Sequence, residues 1–167
     1  LLLCRRSAIL APRARLATLS LGGSMEPAAD DTSSIGGSSS KTKSPILKGH
    51  AYYVSTPIGN LEDITLRAIR TLRDVDAIAS EDTRNTAALL RALGIPKKQL
   101  IAHHDHNLES SVPKLVSMLQ EGASIAVVSD AGTPGISDPG LQLAAACAAA
   151  SVPVVPVPGP CAAVAAL

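Results

Sequence analysis

Residues 124–140 read SIAVVSDAGTPGISDPG. A β-branched, apolar run from Ile125 to Val128 breaks into a loop that carries Gly132, Gly135 and Gly140, two prolines, Asp130 and Asp138. Residues of the first type favour a strand, and the second group ends one. The helical segment Leu141 to Ala150 follows, so the stretch reads strand, loop, helix. A loop so rich in special residues suits a phosphate cradle, a metal corner, another ligand site or a plain turn.

The same grammar recurs outward from this point. Strand-length apolar runs fall at Ala51–Ser55, Ala77–Ser80, Gln99–His103, Ser124–Ser129 and Val152–Val157. Between them lie helical spacings: Leu66, Ile69 and Leu72; Leu89, Leu90 and Leu93, closing at Gly94; Val112, Leu115, Val116 and Leu119, closing at Gly122. Strands alternating with helices predict an α/β domain, a parallel sheet covered on both faces in an α/β/α sandwich. No internal repeat is visible.

Each strand is followed by a polar, Gly or Pro cluster: STPIGN (55–60), SEDTR (80–84), HHDHN (103–107), SDAGTPGISDPG (129–140) and PGPCA (158–162). In open parallel sheets the carboxyl edge carries the ligand crevice, so the five clusters are expected to converge on one site. The phosphate readings fail on detail. Thr56-Pro57-Ile58-Gly59-Asn60 has one glycine where a dinucleotide loop needs G-x-G-x-x-G, and Pro57 removes a backbone donor. No Gly-Lys-Ser/Thr triplet completes a Walker loop. Glu81 and Asp82 do lie where a ribose-binding acid would follow, which keeps a nucleotide-dependent oxidoreductase as the alternative of another class.

In HHDHN, His104 and His106 are expected on one strand face, a pair that suits a metal. The favoured reading is a polar active-site wall without metal, Asn107 capping the next helix through its side-chain oxygen. In SEDTR, either Asp82 or Thr83 caps a helix while Arg84 pairs with Glu81, or a carboxylate faces the crevice. Cys147, in an Ala-rich helix, reads as a small buried hydrophobe. Cys161 stands beside the expected crevice.

The chain has 167 residues, room for one domain with tails, and a formal charge of +1, which gives no strong overall footprint for nucleic acid. Without Trp or Phe, and with Tyr52 and Tyr53 alone, it lacks base-stacking platforms. Three dispersed cysteines speak against a zinc ribbon or disulfide framework, and no apolar run reaches the roughly 20 residues of a membrane span. Residues 1–24 carry four arginines and no acid, the composition of an organellar transit peptide; a Ser-rich linker, 25–50, leads to the domain at 51–167. The spacer favours a chloroplast over a mitochondrion. If Met25 is the true start, a cytoplasmic, bacterial-type protein follows instead.

Taken in order, STPIGNLEDIT, SEDTR, HDHN, SDAGTPGISDPG and PGPCAA resemble the tetrapyrrole methylase superfamily, in particular its branch acting on small-subunit ribosomal RNA. Residues 129–140 fit the signature Ser/Gly-Asp-Ala-Gly-x-Pro-x-apolar-x-Asp-Pro-Gly without a gap. The resemblance implies an S-adenosylmethionine-dependent enzyme that methylates the ribose 2′-hydroxyl of a cytidine in ribosomal RNA or the assembled small subunit. A tetrapyrrole or other small-molecule methylase of the same fold is the nearest alternative, and an inactive binding module a further one. The resemblance also implies a second domain across a cofactor cleft, so the chain is expected to be an amino-terminal fragment with an incomplete pocket, and longer forms to be homodimers. It assigns Pro57, Gly59, Ser129, Asp130, Ala131, Gly132, Thr133, Ile136, Cys161 and Ala162 to the cofactor. Glu81, Asp82, His104 and His106 are the candidate bases for the 2′-hydroxyl proton.

Overall fold

A computed structural model describes residues 45–136, 138 and 140–167. The leader expected at 1–24 and most of the linker lie outside the described residues. Five strands, β1 (Ala51–Val54), β2 (Ala77–Ser80), β3 (Gln99–Ala102), β4 (Ile125–Val128) and β5 (Val154–Val157), alternate with α1 (Leu66–Asp74), α2 (Thr83–Ala92), α3 (Leu108–Gln120), α4 (Gly140–Ala149) and a short α5 (Ala162–Ala165). All strands pair in parallel, in the order β3-β2-β4-β1-β5.

The period-two direction of strand side chains divides the core in two. Ala51, Tyr53, Ile125 and Val127 meet Leu115 and Leu119 of α3 and Leu143 and Cys147 of α4 on one face. Tyr52, Val54, Ala126 and Val128 meet Ala68 and Leu72 of α1 and Leu90 of α2 on the other. Strands covered on both sides read as continuous apolar runs, which is why β1, β2 and β4 are buried at every position. Each fully buried leucine removes enough apolar surface to contribute roughly 1.5–3 kcal/mol. Cys147 is a core residue, as expected, and burial pushes its thiol above the ordinary range.

The strands run shorter than the apolar text. Ser151 takes a left-handed φ of 56° and Val152 N–H reaches back to the Cys147 carbonyl at 2.8 Å, so Val152 closes α4 instead of opening β5. Pro156 is tolerated in β5 because β5 is an edge strand, paired with β1 alone. Thr65 opens α1 by accepting the Ala68 N–H at 3.1 Å. Among the described residues no helix is long and apolar enough to cross a membrane.

Candidate active site

The chain leaves β1 and β2 towards α1 and α2 on one face, but leaves β4 towards α4 on the other. Since β4 lies between β1 and β2, the loops part above its carboxyl end, and the switch point falls on the loop that follows it.

That loop is bound to its neighbours on every side. Thr56 and Gly132 exchange backbone hydrogen bonds of 2.9 and 3.0 Å, a two-residue antiparallel bridge between the loops after β1 and β4. Gly132 holds φ +85°, a left-handed conformation that side chains resist. The Thr133 hydroxyl donates to the Pro160 carbonyl at 2.9 Å, which leaves its lone pair to accept from the Ser55 hydroxyl, also at 2.9 Å. Loops after β1, β4 and β5 are thereby joined through one threonine. On the other flank, Asp130 accepts the Asp82 backbone N–H at 3.1 Å and the Asn85 side-chain amide at 3.0 Å. Glu81 accepts a long 3.5 Å contact from the Asp130 N–H. Asp138 turns the chain into α4 by accepting the N–H groups of Gly135 and Gly140 at 2.7 and 2.9 Å. Tyr53, its phenol pushed far above the usual value by burial, stays a neutral donor to the Gly140 carbonyl at 2.7 Å.

Two clefts flank the loop. The more polar of them, about 180 Å³, is lined by Asn85, Ser129 and Asp130 together with Pro57, Gly59, Leu61 and Leu89. The second, about 360 Å³ and nearly all apolar, lies between the loop and β5, with Ser55, Thr133, Gly135 and Val157 on its wall. Pro57, Gly59, Ser129, Asp130, Gly132 and Thr133 therefore do meet. Ala131 and Ile136 are exposed on the same loop, and Cys161 and Ala162 begin α5 directly after the Pro160 carbonyl that Thr133 holds. Ser55, Thr56 and Asn85 were not among the expected residues. The first two could have been found from their place at the β1 terminus, but Asn85 is an unremarkable helix residue until its partner is known.

The histidines fall elsewhere. β3 ends at Ala102, so His104 and His106 sit on and beside a 3-10 turn (Asp105–Asn107), not on one strand face, with ring centroids 6.0 Å apart. Neither lines the 180 Å³ cleft. Asn107 does not cap α3 either: its oxygen reaches back to the His104 N–H at 3.0 Å and its amide to the Ala102 carbonyl at 2.9 Å, closing the turn. Among the described residues no group of three or more His, Cys, Asp and Glu side chains is arranged to hold a metal.

Arg84 pairs with Asp82, not with Glu81. Its guanidinium grips the Asp82 carboxylate in a fork, the shortest contact 2.7 Å, while Asp82 caps α2 by accepting the Arg84 N–H at 2.8 Å. These bonds to Arg84 hold the Asp82 carboxyl down from 3.8 to about 2. With its folded-state value depressed, the pair's contribution to stability is complete above the unfolded pKa of 3.8 and is lost as pH falls through about 2. Arg84→Ala should move the Asp82 midpoint, followed by carboxyl NMR, up towards 3.8; a midpoint unmoved by the substitution would place the cause elsewhere.

A family model for tetrapyrrole (corrin/porphyrin) methylases matches residues 50–167, the whole described domain except its first few residues. The chain is similar to a protein from Escherichia coli O157:H7 named ribosomal RNA small subunit methyltransferase I, 55% identical over 120 residues, which make up 72% of this chain and 42% of the relative. A protein of the same name from Synechocystis is 55% identical over 119 residues, 71% of this chain and 42% of the relative. The chain thus spans less than half the length of these relatives. Among solved structures, the uroporphyrin-III C-methyltransferase of Thermus thermophilus superposes with a TM-score of 0.55 at 26% identity, over 71% of this chain and 50% of that one.

Proposed function

The chain belongs to the tetrapyrrole methylase family, and from that premise we propose that it supplies one wall of an S-adenosylmethionine site used to methylate a ribose 2′-hydroxyl of small-subunit ribosomal RNA. The observation that carries the acceptor is the 55% identity, over the very stretch that builds the crevice, to relatives named for small-subunit ribosomal RNA.

The crevice suits part of that cofactor. Asp130 uses one lone pair of each oxygen on Asp82 and Asn85, and its exposed carboxylate has capacity left for an ammonium or a ribose hydroxyl. At Gly135 the backbone lies open, with nothing within 4 Å of where a Cβ would stand, and the 360 Å³ apolar cleft accepts a ring edge. The polar cleft, at about 180 Å³, is below the roughly 300–1,000 Å³ of a pocket that buries a ligand of this size. We therefore assign these residues a share of the cofactor's contacts, with weak binding by the 167 residues alone.

When bound, S-adenosylmethionine supplies an electrophilic methyl whose bond to sulfur breaks as the bond to the ribose oxygen forms, the electron pair staying on sulfur. The protein has to align the oxygen and take its proton. Asp82, held near pKa 2 by Arg84, is a poor proton acceptor at neutral pH. Glu81, on the same turn and beside Asp130, has no such pair among the described residues, and we assign it the proton. Glu81 does not line the polar cleft itself but accepts from the Asp130 N–H beside it, whereas His104 and His106 stand on the turn after the outer strand β3 and lose that role in this reading.

The test joins this chain to the remainder of the Escherichia coli relative and supplies labelled cofactor with small-subunit RNA or a reduced tetrapyrrole. One new ribose methylation, located by mass spectrometry of RNA digests and lost in Glu81→Gln, is expected. Label on the tetrapyrrole instead would replace the reading by the small-molecule one that the Thermus thermophilus neighbour represents.

A further inference from the structure

Charge along the chain is not evenly spread. From Thr83 to His104 there are Arg84, Arg91, Lys97 and Lys98 and no aspartate or glutamate, in a protein whose formal net charge is +1. The fold gathers all four onto one groove of about 660 Å³ between α2, the turn after it and the edge strand β3, with Thr83 and Leu100 also on its wall. Arg84 and Arg91 share a face of α2 because seven residues are close to two turns, and they stand about 10 Å apart along its axis.

The four charges are not equivalent. Arg84 is neutralised by Asp82. Lys98 is pinned by a 2.8 Å bond to the Val75 carbonyl and faces Asp76, whose carboxyl is held down chiefly by its bonds to Ser124. Arg91 and Lys97 are exposed and have no ion pair among the described residues. A surface that concentrates unpaired cations without a counter-ion raises the local concentration of polyanions. The groove begins at Thr83, next to the Asp82 that Asp130 holds in the crevice, and runs down the flank of the sheet. Ala87, Leu90, Ile95 and Leu100 make much of its wall apolar, with no aromatic side chain for bases to stack on, and the exposed guanidinium of Arg91 and ammonium of Lys97 suit phosphate.

We propose that this groove is a track for the phosphodiester backbone of the ribosomal RNA acceptor, with Arg91 and Lys97 as its sequence-independent anchors. The proposal rests on the RNA reading above, and phosphate contacts of this kind set register and orientation while the crevice selects the reacting ribose. An acidic protein segment is the competing occupant. RNA is favoured because the groove shares α2 with the crevice where an RNA hydroxyl would react, Thr83 and Arg84 lining the one and Asn85 and Thr86 the other.

The test is fluorescence anisotropy of a labelled small-subunit RNA fragment with the 167-residue chain across a salt series. Removing one phosphate anchor should lower the slope of log affinity against log salt by about 0.7–1. Arg91→Ala and Lys97→Ala together should weaken binding about 20-fold at about 0.15 M salt, the counter-ion release of two anchors. Arg73→Ala, which removes the same charge from α1, should leave the slope unchanged. Arg91→Lys with Lys97→Arg should retain binding, and thermal melting of every variant should match the parent, since the altered side chains are exposed. Equal losses in Arg73→Ala would reduce the effect to net charge and overturn the track. So would absence of RNA binding by the parent, or equal, groove-dependent binding of polyglutamate. Failure of the methylase reading is separate, because it is read by label transfer, not by affinity.

Discussion

Gly132→Val is expected to cut methyl transfer about 100-fold in the chain joined to the remainder of a relative, the penalty for shifting a positioning loop by the order of an ångström. Two effects act at this one position. Its φ of +85° is a region that a β-branched residue avoids, at a cost of about 1–3 kcal/mol. A Cβ built there would stand 3.4 Å from Ile58 Cγ2, and the valine methyls extend beyond it into the contact between the loops after β1 and β4. Relief requires the Thr56 bridge to open, and with it the alignment of Ser129, Asp130 and Thr133. Gly135→Ala separates strain from contact: φ is +89°, but a Cβ meets nothing within 4 Å. It should show a loss of about 1 kcal/mol in urea unfolding, with turnover reduced far less than in Gly132→Val. Turnover within twofold of the parent for Gly132→Val would show that the bridge does not hold the reactive geometry.

Much of this architecture is legible without coordinates. Apolar runs such as IAVV, with helices between them, state the parallel sheet, because strands buried on both faces read as continuous apolar text, although the edge strand β5 (VVPV) is as apolar with Val154 and Pro156 exposed. The clustering of Gly, Pro and acids after each run then follows from the rule that ligands bind at the carboxyl edge. Partner choice within that edge is not legible. HHDHN follows a strand as the other clusters do, but β3 lies outermost, and the Asn107 turn takes both histidines away from the polar cleft. Arg84 has acids at 81 and 82 to choose from, and capping by Asp82 decides for the carboxylate already turned towards the Arg84 N–H. The basic groove is hidden for a different reason. A net charge near zero averages over the whole chain, whereas the signal lies in one acid-free interval that the α2–β3 connection folds onto itself.

Asp130→Ala is expected to weaken binding of S-adenosylmethionine by the joined chain about 10–100-fold, the effect of deleting a charged hydrogen-bond acceptor. Its cost in stability should be about 1 kcal/mol or less, because the Asp82 N–H and the Asn85 amide it leaves behind are exposed and turn to water. This inverts the pattern of a core substitution such as Leu115→Ala, which costs about 2–5 kcal/mol without touching the crevice. Two further variants resolve why Asp130 matters. Asn85→Ala removes one of its two side-chain tethers, so its effect should be smaller than that of Asp130→Ala and absent when Asp130 is already gone, a coupling that titration calorimetry on the double-mutant cycle measures. Asp130→Asn can keep both bonds, its oxygen accepting the Asp82 N–H and its amide donating to the Asn85 oxygen once that exposed side chain turns over. If orientation alone matters, Asp130→Asn should bind like the parent; if the charge meets a cationic part of the cofactor, it should fall to the level of Asp130→Ala. Parent-like binding by both Asp130 variants would remove the carboxylate from the site and leave it the simpler task of fastening the β4 loop to α2.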